Sequence, residues 1–286
     1  MKFAFIEQEL TDYPVGMACK ALDVSRSGFY AYRRRPQCDQ ARRREVLAAR
    51  IQVAYRSNRC VYGSPRIHQA LLAQGEKVCQ NTVAKCMRKL ELKARIKRKY
   101  VPRTTDSDHG HRIAENVLDR QFACSLPNTK WACDITYIPT GEGWMYLAAV
   151  LDLCSRKIVG WSMADHMEAS LVGDALTMAI DRRRPDAGLL HHSDRGVQYA
   201  CDDYRKLLDL AGMELSMSGK GDCWDNAVME SFWSTLKTEL VHHEHYATRE
   251  SARASIFEYV EVFYNRKRLH SALGYQSPEA FEAGLN

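Results

Sequence analysis

From residue 129 to residue 240 the sequence alternates apolar, strand-like segments with amphipathic helical ones. Residues 129–138, 144–153 and 157–163 are predicted strands, and the short turn between the last two predicts a hairpin. Helical periodicity follows at 169–184, 204–212 and 225–240, with short strands predicted at 188–194 and 213–218. Three strands followed by alternating helices and strands predict an α/β layered domain.

The first 110 residues have a different, helical and basic pattern. They contain 23 Lys and Arg residues and 10 Asp and Glu residues, a net charge of +13, whereas residues 111–286 contain 18 and 25, a net charge of −7. Residues 14–35 and 62–92 each predict two helices around a turn, the pattern of a helix-turn-helix. This asymmetry favours a nucleic-acid-binding module joined to one with a different task. A basic helical pair that only packs on another domain is the alternative for residues 14–35.

Several basic side chains of this half are candidate DNA contacts. Arg26 and Arg88 lie on the second helix of each helix-turn-helix pattern. A basic run follows the second pattern and contains Arg95, Lys97, Arg98 and Lys99. Directly after a helix-turn-helix, such a run is expected to lie along phosphates, whereas elsewhere it would more simply be a solvated face.

The cysteines and the apolar segments limit the class of protein. The ten cysteines are scattered without a C-x-x-C pair, which argues against a zinc ribbon and is typical of a reducing compartment. The N-terminus lacks the long apolar core of a signal peptide, and the longest apolar run, residues 144–151, is too short to span a bilayer. We therefore expect a cytoplasmic protein without a membrane partner.

Three acidic residues, Asp134, Asp194 and Glu230, lie at positions typical of metal-binding carboxylates. Asp134 is inside an apolar strand, where a carboxylate is costly unless it is paired or metal-bound. Asp194 follows a strand, and ligands of α/β sheets gather at such ends. Glu230 lies in the helix 225–240, and thirty-five residues separate it from Asp194. Such hard oxygen donors suit Mg²⁺ or Mn²⁺, and two such ions about 3.5–4 Å apart can clamp the attacking and leaving oxygens during displacement at phosphorus.

The helix 225–240 is predicted to have one polar face. At about 100° per residue it aligns the side chains of Asn226, Glu230, Ser234 and Lys237. Asn226 and Lys237 are the candidate DNA contacts of this face. A solvated surface is the alternative interpretation.

For several other conspicuous residues, the sequence predicts structural rather than catalytic roles. Asp152 ends a strand and is expected to bond the backbone of a turn. His191 and His192 are expected to be partly buried and hydrogen-bonded rather than metal-bound. Core positions are expected for the tryptophans Trp131, Trp144, Trp161 and Trp233.

Three segments resemble the catalytic blocks of bacterial transposases of the insertion-sequence-three family, which are relatives of retroviral integrases. These segments are WACDITYI, HHSDRGVQY and DNAVMESFWSTLK. YGSPRIHQAL with the basic segment after it resembles the DNA-binding region of the family, and NRKRLHSALGYQSPEAF resembles its C-terminal signature. The 35-residue spacing and Lys237, seven residues after Glu230, also match the family pattern.

The resemblance implies a ribonuclease-H-like integrase core in which Asp134, Asp194 and Glu230 are both catalytic residues and metal ligands, with Lys237 near the DNA ends. It implies two Mg²⁺ or Mn²⁺ ions per active site, and metal-dependent cleavage and strand transfer of an insertion sequence. The implied partners are the element ends, the target DNA, and a first-frame product (OrfA) or a frameshift fusion with it. This chain would be the second-frame product (OrfB), working as a homo-oligomer on nucleoid DNA.

Three parts of the chain are expected on this basis. Residues 1–36 form a helix-turn-helix-like segment, residues 37–110 a helical basic DNA-binding domain, and residues 120–286 the integrase core with a C-terminal helical extension. Two other classes stay open from the sequence: a nuclease of the same fold that cuts without joining, and a catalytically inactive DNA-binding regulator.

Overall fold

The structure, a computed structural model, describes residues 1–34, 38–95, 113–219 and 223–285. It contains two compact units, Met1–Val53 and Ala54–Asn286. The helices are α1 (Lys2–Glu9), α2 (Val15–Ala21), α3 (Arg26–Arg34), α4 (Asp39–Ser57), α5 (Ser64–Ala73), α6 (Gln80–Lys89), α7 (Ala169–Arg183), α8 (Val197–Ala200), α9 (Asp202–Leu210), α10 (Ala227–Glu239), α11 (Arg249–Phe257) and α12 (Pro278–Ala283). The strands are β1 (Lys130–Thr140), β2 (Gly143–Asp152), β3 (Ile158–Ala164), β4 (Leu190–Ser193) and β5 (Glu214–Met217).

The first unit has a small hydrophobic core of its own. The helices α2 and α3 correspond to the pair predicted at residues 14–35, and Asp23 in the turn between them adopts a left-handed conformation, with φ of 50°. Asp is one of the few residues with a side chain that tolerates this conformation. The core of the unit consists of the buried residues Ile6, Ala18, Cys19 and Phe29.

The second unit is built on a five-stranded mixed sheet with the order β3-β2-β1-β4-β5. The pairs β1–β2 and β2–β3 are antiparallel, whereas β1–β4 and β4–β5 are parallel. The two parallel crossovers pass through helices, α7 before β4 and then α8 and α9 before β5. This order of elements confirms the α/β architecture predicted from the strand and helix patterns.

One face of the sheet packs against α7, α8 and α9. The core there combines Trp131, Cys133 and Val150 of the sheet with Leu176 and Tyr204 of the helices. At Gly160 of β3, an added Cβ would lie 2.2 Å from a backbone oxygen of α7. Only glycine therefore lets this helix approach the strand so closely.

The C-terminal segment is largely helical and is fastened to the edge strand β3. A π-helical segment, Glu258–Tyr264, continues from α11. After it, Asn265 accepts a hydrogen bond from the N–H of Ile158 and donates one to its carbonyl, both of 2.9 Å. Arg183 of α7 donates to both carboxylate oxygens of Glu282, with distances of 2.9 Å and 2.8 Å.

A buried carboxylate at the end of α10, Glu239, joins this extension to α5. Arg268 donates to both oxygens of Glu239, with distances of 2.8 Å and 2.7 Å, and the Tyr259 hydroxyl donates at 2.8 Å. Arg66 of α5 lies 3.8 Å from the same carboxylate, and Arg95 donates to the carbonyl of Glu239. Because a buried charge is costly unless it is paired and hydrogen-bonded, these partners fix the local structure around Glu239.

Two expectations about the whole chain can be compared with the described residues. Among the described residues, no helix is both long enough and apolar enough to cross a membrane. The nine cysteines described, which exclude Cys223, are free thiols.

Candidate active site

Asp134 lies in the middle of β1 and keeps partial contact with solvent. Its Oδ1 accepts from the N–H of Ile135 at 2.8 Å, and its Oδ2 accepts from the indole N–H of Trp233 at 2.9 Å. Burial raises the pKa of Asp134 well above the ordinary carboxyl range, and the charges of Asp194 and Glu230 raise this pKa further. The three predicted carboxylates are therefore close enough for their charges to interact.

Each of the other two carboxylates comes from a neighbouring element. Asp194 follows β4, which pairs with β1, and its Oδ1 accepts from the N–H of Gly196 at 2.9 Å. Glu230 is exposed in the first turn of α10. Among the described residues, no three His, Cys, Asp or Glu side chains form a cluster that could hold a metal ion as they stand. The carboxylates interact through their charges, while Asp134 and Asp194 bond local N–H groups.

The helix α10 and the residue before it contact β1 at three successive points. The amide of Asn226 donates to the carbonyl of Cys133 at 3.2 Å, and Trp233 then bonds Asp134. One turn later, Nζ of Lys237 lies 4.7 Å from the ring centroid of Tyr137. On β1, only the first three residues, 130–132, pair with β4, so the remainder of β1 is not covered by β4. These contacts bring Glu230 and Lys237 beside Asp134.

Lys237 is a half-buried cation next to the carboxylates. Burial lowers the pKa of its ammonium group, and the charge of Asp134 partly offsets that effect. The ring of Tyr137 faces the ammonium, which is a favourable cation–π arrangement. This position is consistent with the predicted polar face of α10 but does not test a DNA contact.

The histidines of β4 are hydrogen-bonded, as predicted, and they are fully rather than partly buried. The Nε2 of His191 lies 2.9 Å from both the thiol of Cys133 and the hydroxyl of Tyr204. The two ring nitrogens of His192 contact Ser216 and Ser218 at 2.9 Å and 3.2 Å. Burial lowers the pKa of His191 to about 3 and that of His192 to about 4, so both rings are neutral near pH 7.

Asp152 has the turn-forming role predicted for it. Its Oδ1 accepts from the N–H groups of Cys154 and Ser155, at 2.9 Å and 3.1 Å. Its Oδ2 accepts from the N–H of Asn128 at 2.6 Å and from the indole of Trp131 at 3.3 Å. The carboxylate of Asp152 therefore stabilises the turn after β2 and links this turn to the start of β1.

The candidate DNA contacts occupy different environments. Arg26 and Arg88 are exposed, whereas Arg95 bonds the backbone of Glu239. Asn226 is buried, and its Oδ1 has no hydrogen-bond partner among the described residues. The remaining three, Lys97, Arg98 and Lys99, lie outside the described residues. A DNA contact stays a prediction for all of these residues.

Two tryptophans have positions that the sequence pattern did not indicate. Trp233 is buried as expected, but it also bonds Asp134, a role that burial alone does not predict. The expectation that Trp144 is a core residue is wrong, because 51% of it is exposed. It lies at the start of β2 beside the β1–β2 turn, where its ring packs edge to face on Tyr137, with centroids 4.9 Å apart and an interplanar angle of 83°.

Comparison with known proteins connects this geometry to a family. A model of the integrase core domain matches residues 125–223, and a second integrase core model matches residues 211–278. An HTH-like domain model matches residues 41–100. Transposase InsF for insertion sequence IS3A from Escherichia coli K12 is 43% identical over 284 residues, which cover 99% of this chain and 98% of that protein. The chain belongs to the IS3 transposase family.

The comparisons confirm the fold class and function predicted for this IS3-family transposase. An integrase core preceded by HTH-like helices is present, and both domains imply DNA binding. The family is that of transposases of bacterial insertion sequences. A 31 kDa protein of insertion element IS600 from Shigella sonnei is also 43% identical, over 92% of this chain and 96% of its own length.

Solved structures of retroviral integrases are more distant. The catalytic core domain of HTLV-2 integrase in complex with magnesium matches 55% of this chain and 97% of its own, with a TM-score of 0.41 and 14% identity. The simian T-cell lymphotropic virus intasome, in complex with PP2A regulatory subunit B56 gamma, matches 75% of this chain and 69% of its own, with a TM-score of 0.46 and 13% identity.

Proposed function

We propose that Asp134, Asp194 and Glu230 are the catalytic carboxylates of this transposase, and that together they hold two Mg²⁺ or Mn²⁺ ions. The observation that carries the proposal is that the fold brings the three carboxylates onto adjoining elements: Asp134 in β1, Asp194 after β4, which pairs with β1, and Glu230 on α10, whose Trp233 bonds Asp134. The raised pKa of Asp134, to which burial and both other carboxylates contribute, supports the proposal. Crowding like charges in a partly buried site is unfavourable by itself. Divalent cations would remove that repulsion.

The donor types suit these ions. Mg²⁺ and Mn²⁺ prefer carboxylate oxygens, and the nearby thiol of Cys133 and imidazole of His191 bond each other instead. Because no three-ligand cluster is preformed among the described side chains, binding would turn the carboxylates of Asp134 and Asp194 toward the ions. The hydrogen bonds from Trp233 and Gly196 would adjust with them.

The neighbouring residues have separate tasks in this proposal. Two bound ions would supply activation of the attacking hydroxyl and stabilisation of the leaving oxygen at phosphorus. Trp233 orients Asp134, and Asn226 holds the carbonyl of Cys133 beside it. Lys237 provides a positive charge for a DNA phosphate. For Asn226 to contact DNA, its buried Oδ1, which has no hydrogen-bond partner among the described residues, would have to become accessible.

We propose that DNA is gripped by the N-terminal parts, residues 1–36 and 37–110, and cut by the core, residues 120–286. The HTH-like match at residues 41–100 supports the middle part. Its exposed Arg88, with Arg26 of the first part, would contact phosphates of the element ends or the target DNA. Arg95, Lys97, Arg98 and Lys99 would continue that contact.

The remaining partners belong to the same proposal. A first-frame product (OrfA), or a frameshift fusion with it, would add recognition of the element ends. The chain would act as a homo-oligomer on the DNA of the nucleoid, in the cytoplasm.

Amide substitutions test the carboxylates. Asp134→Asn, Asp194→Asn and Glu230→Gln should each abolish cleavage and joining of element-end DNA in Mg²⁺ while DNA binding persists, because the amides keep the shape but lose the charge. Combining two of them should add little, since groups that act as a unit are not additive. Glu214→Gln, an exposed glutamate on β5, is the matched control and should behave as wild type.

The same assay separates the other two classes. Joining of a 3′-hydroxyl to target DNA would exclude a simple nuclease, and Mg²⁺-dependent cleavage would exclude an inactive regulator. Cleavage near the wild-type rate by Glu230→Gln would remove Glu230 from the site. If all three variants cut normally, the proposal fails.

A further inference from the structure

Trp144 is an exposed aromatic residue held in a fixed position. Half of its surface, 51%, is accessible to solvent. Its ring packs on Tyr137, and its carbonyl accepts from Nε of Arg249 at 3.2 Å. The backbone N–H of Arg249 donates to Glu142 of the adjacent turn at 2.8 Å, and Gly141 donates to the carbonyl of Tyr246 at 2.9 Å. The β1–β2 turn is thus fastened to the segment that leads into α11.

This tryptophan stands at the end of a row that begins at the carboxylates. Lys237 lies on α10 one turn after Trp233, which bonds Asp134, and its ammonium group covers the ring of Tyr137 at 4.7 Å. Tyr137 in turn contacts Trp144, with ring centroids 4.9 Å apart. The row Asp134–Lys237–Tyr137–Trp144 therefore runs from a partly buried acid, through a cation, to an exposed ring.

An isolated exposed hydrophobic side chain is common and needs no explanation. Trp144 differs because Tyr137 and Arg249 hold it in place. In addition, the ring of Tyr137 contacts both Trp144 and the ammonium group of Lys237, which lies beside the carboxylates. A basic group together with an aromatic face is the combination by which proteins hold single-stranded nucleic acid. The cation suits a phosphate, and the ring suits the base of the same strand.

We propose that Trp144, supported by Tyr137, is a stacking surface for one unpaired base of the DNA strand next to the phosphate that is cut. The inference rests on the proposed function, because the carboxylates define where that strand lies. Lys237 would contact the backbone of this strand while the base leaves the duplex and stacks on the indole. Stacking has little preference for base identity, so the site would favour an unpaired nucleotide over a particular sequence.

The test measures binding without cleavage, using the full-length protein in EDTA. The probes are fluorescent duplexes with an unpaired strand at one end, in which a single abasic nucleotide is moved along that strand. For wild type, one abasic position should weaken binding by about tenfold. Trp144→Ala should weaken binding of the intact probe to the same extent, and the abasic nucleotide at that position should then cost nothing more.

Two further substitutions keep the test valid if Trp144→Ala folds poorly. Trp144→Phe keeps an aromatic face and should retain most of the affinity, whereas Trp144→Leu keeps apolar bulk without a ring and should bind as weakly as the alanine variant. Leu210→Ala, at a residue 86% exposed at the end of α9, is the control and should bind as wild type.

Several results would overturn the inference. Additive losses from Trp144→Ala and every abasic position would mean that the base does not touch the indole. An equal loss with a fully paired duplex, or with the Phe and Leu variants alike, would indicate a general or protein-facing surface. Failure of the proposed function is a separate result, namely cleavage of the same DNA in Mg²⁺ by Glu230→Gln.

Discussion

The indole N–H of Trp233 donates a 2.9 Å hydrogen bond to Oδ2 of Asp134, so a side chain of α10 orients a carboxylate of β1. The same helix carries Glu230 in its first turn. Two of the three proposed metal ligands therefore depend on how this helix is seated against the strand. The third, Asp194, depends on the pairing of β4 with β1.

Trp233→Phe should reduce cleavage by about tenfold without changing DNA binding. Phenylalanine keeps a buried ring but removes the donor, and a hydrogen bond to a charged group contributes about 1.5–3 kcal/mol. Trp161→Phe is the matched control, because that indole donates to Glu261 at 2.7 Å and belongs to the edge strand β3, two strands away from β1. Both variants should lose similar stability, and only Trp233→Phe should lose activity. Equal rates for the two variants would contradict an orienting role.

Mg²⁺ should raise the melting temperature of the wild-type protein above its value in EDTA. A ligand that binds only the folded state stabilises it by about 2.7 kcal/mol at a hundred times its Kd. Asp134→Asn should melt no lower than wild type in EDTA, because one of the repelling charges is gone, and should gain less from Mg²⁺. Glu214→Gln should gain as much as wild type. A gain by Asp134→Asn equal to that of wild type would show that Mg²⁺ acts elsewhere.

His270 should make the folded protein less stable as the pH falls below about 6.5. Burial and the charges of Arg268, Arg66 and Arg156 lower its folded pKa to about 2. An unfolded histidine titrates near pH 6.5, so below that pH the unfolded chain binds a proton that the folded chain does not. His270 should contribute about 2 kcal/mol to the loss of stability between pH 7 and pH 5.

The measurement for His270 is urea unfolding at pH 7 and pH 5. His270→Gln keeps an acceptor near Arg268 but cannot titrate, so its difference between the two pH values should be smaller than that of wild type. His191 and His192, whose folded pKa values are also lowered, contribute to the difference that remains. Substitution of the exposed His243 by Gln is the control. An unchanged pH dependence in His270→Gln would rule out this contribution.

Arg88→Ala should weaken DNA binding in a manner that depends on salt. Each phosphate neutralised by a cation adds about 0.9 to the slope of log K against log salt. Loss of one contact should reduce the slope by about that amount. Lys206→Ala, an exposed lysine on α9 that pairs with Asp203, is the control and should leave the slope as in wild type. A slope that is the same for Arg88→Ala and wild type would remove Arg88 from the interface.

The sequence predicted well those elements whose apolar pattern decides their structure. The segment around Asp134 is apolar on both sides, and it became the central strand β1. Asp152 could be predicted as a turn residue because its partners, the N–H groups of Cys154 and Ser155, are close to it in sequence. Local periodicity and local hydrogen bonds are encoded in short segments, so they can be recognised without the fold.

The contacts that the sequence did not predict join distant segments. Trp233 and Asp134 are 99 residues apart, and burial of a tryptophan does not say which acceptor its N–H will meet. Trp144 lies in an apolar run, but it stands near the start of β2, beside the β1–β2 turn, and its side chain is exposed there. Arg95 belongs to a basic run that predicts solvent or phosphate, yet it bonds the backbone of Glu239. In each case the position follows from tertiary packing rather than from composition.

The carboxylate of Glu239 has a consequence for how the enzyme finds its cutting site. It ends the helix that carries Glu230, bonds Arg268 and Tyr259, and lies 3.8 Å from Arg66 in the HTH-like region. Breaking a buried ion pair of this kind costs about 3–5 kcal/mol, so the carboxylate of Glu239 holds α5 and α10 together within the second unit. Under the proposed function, α5 and the carboxylates would act as a ruler within this unit, and the cut would fall at a set distance from any DNA bound beside α5.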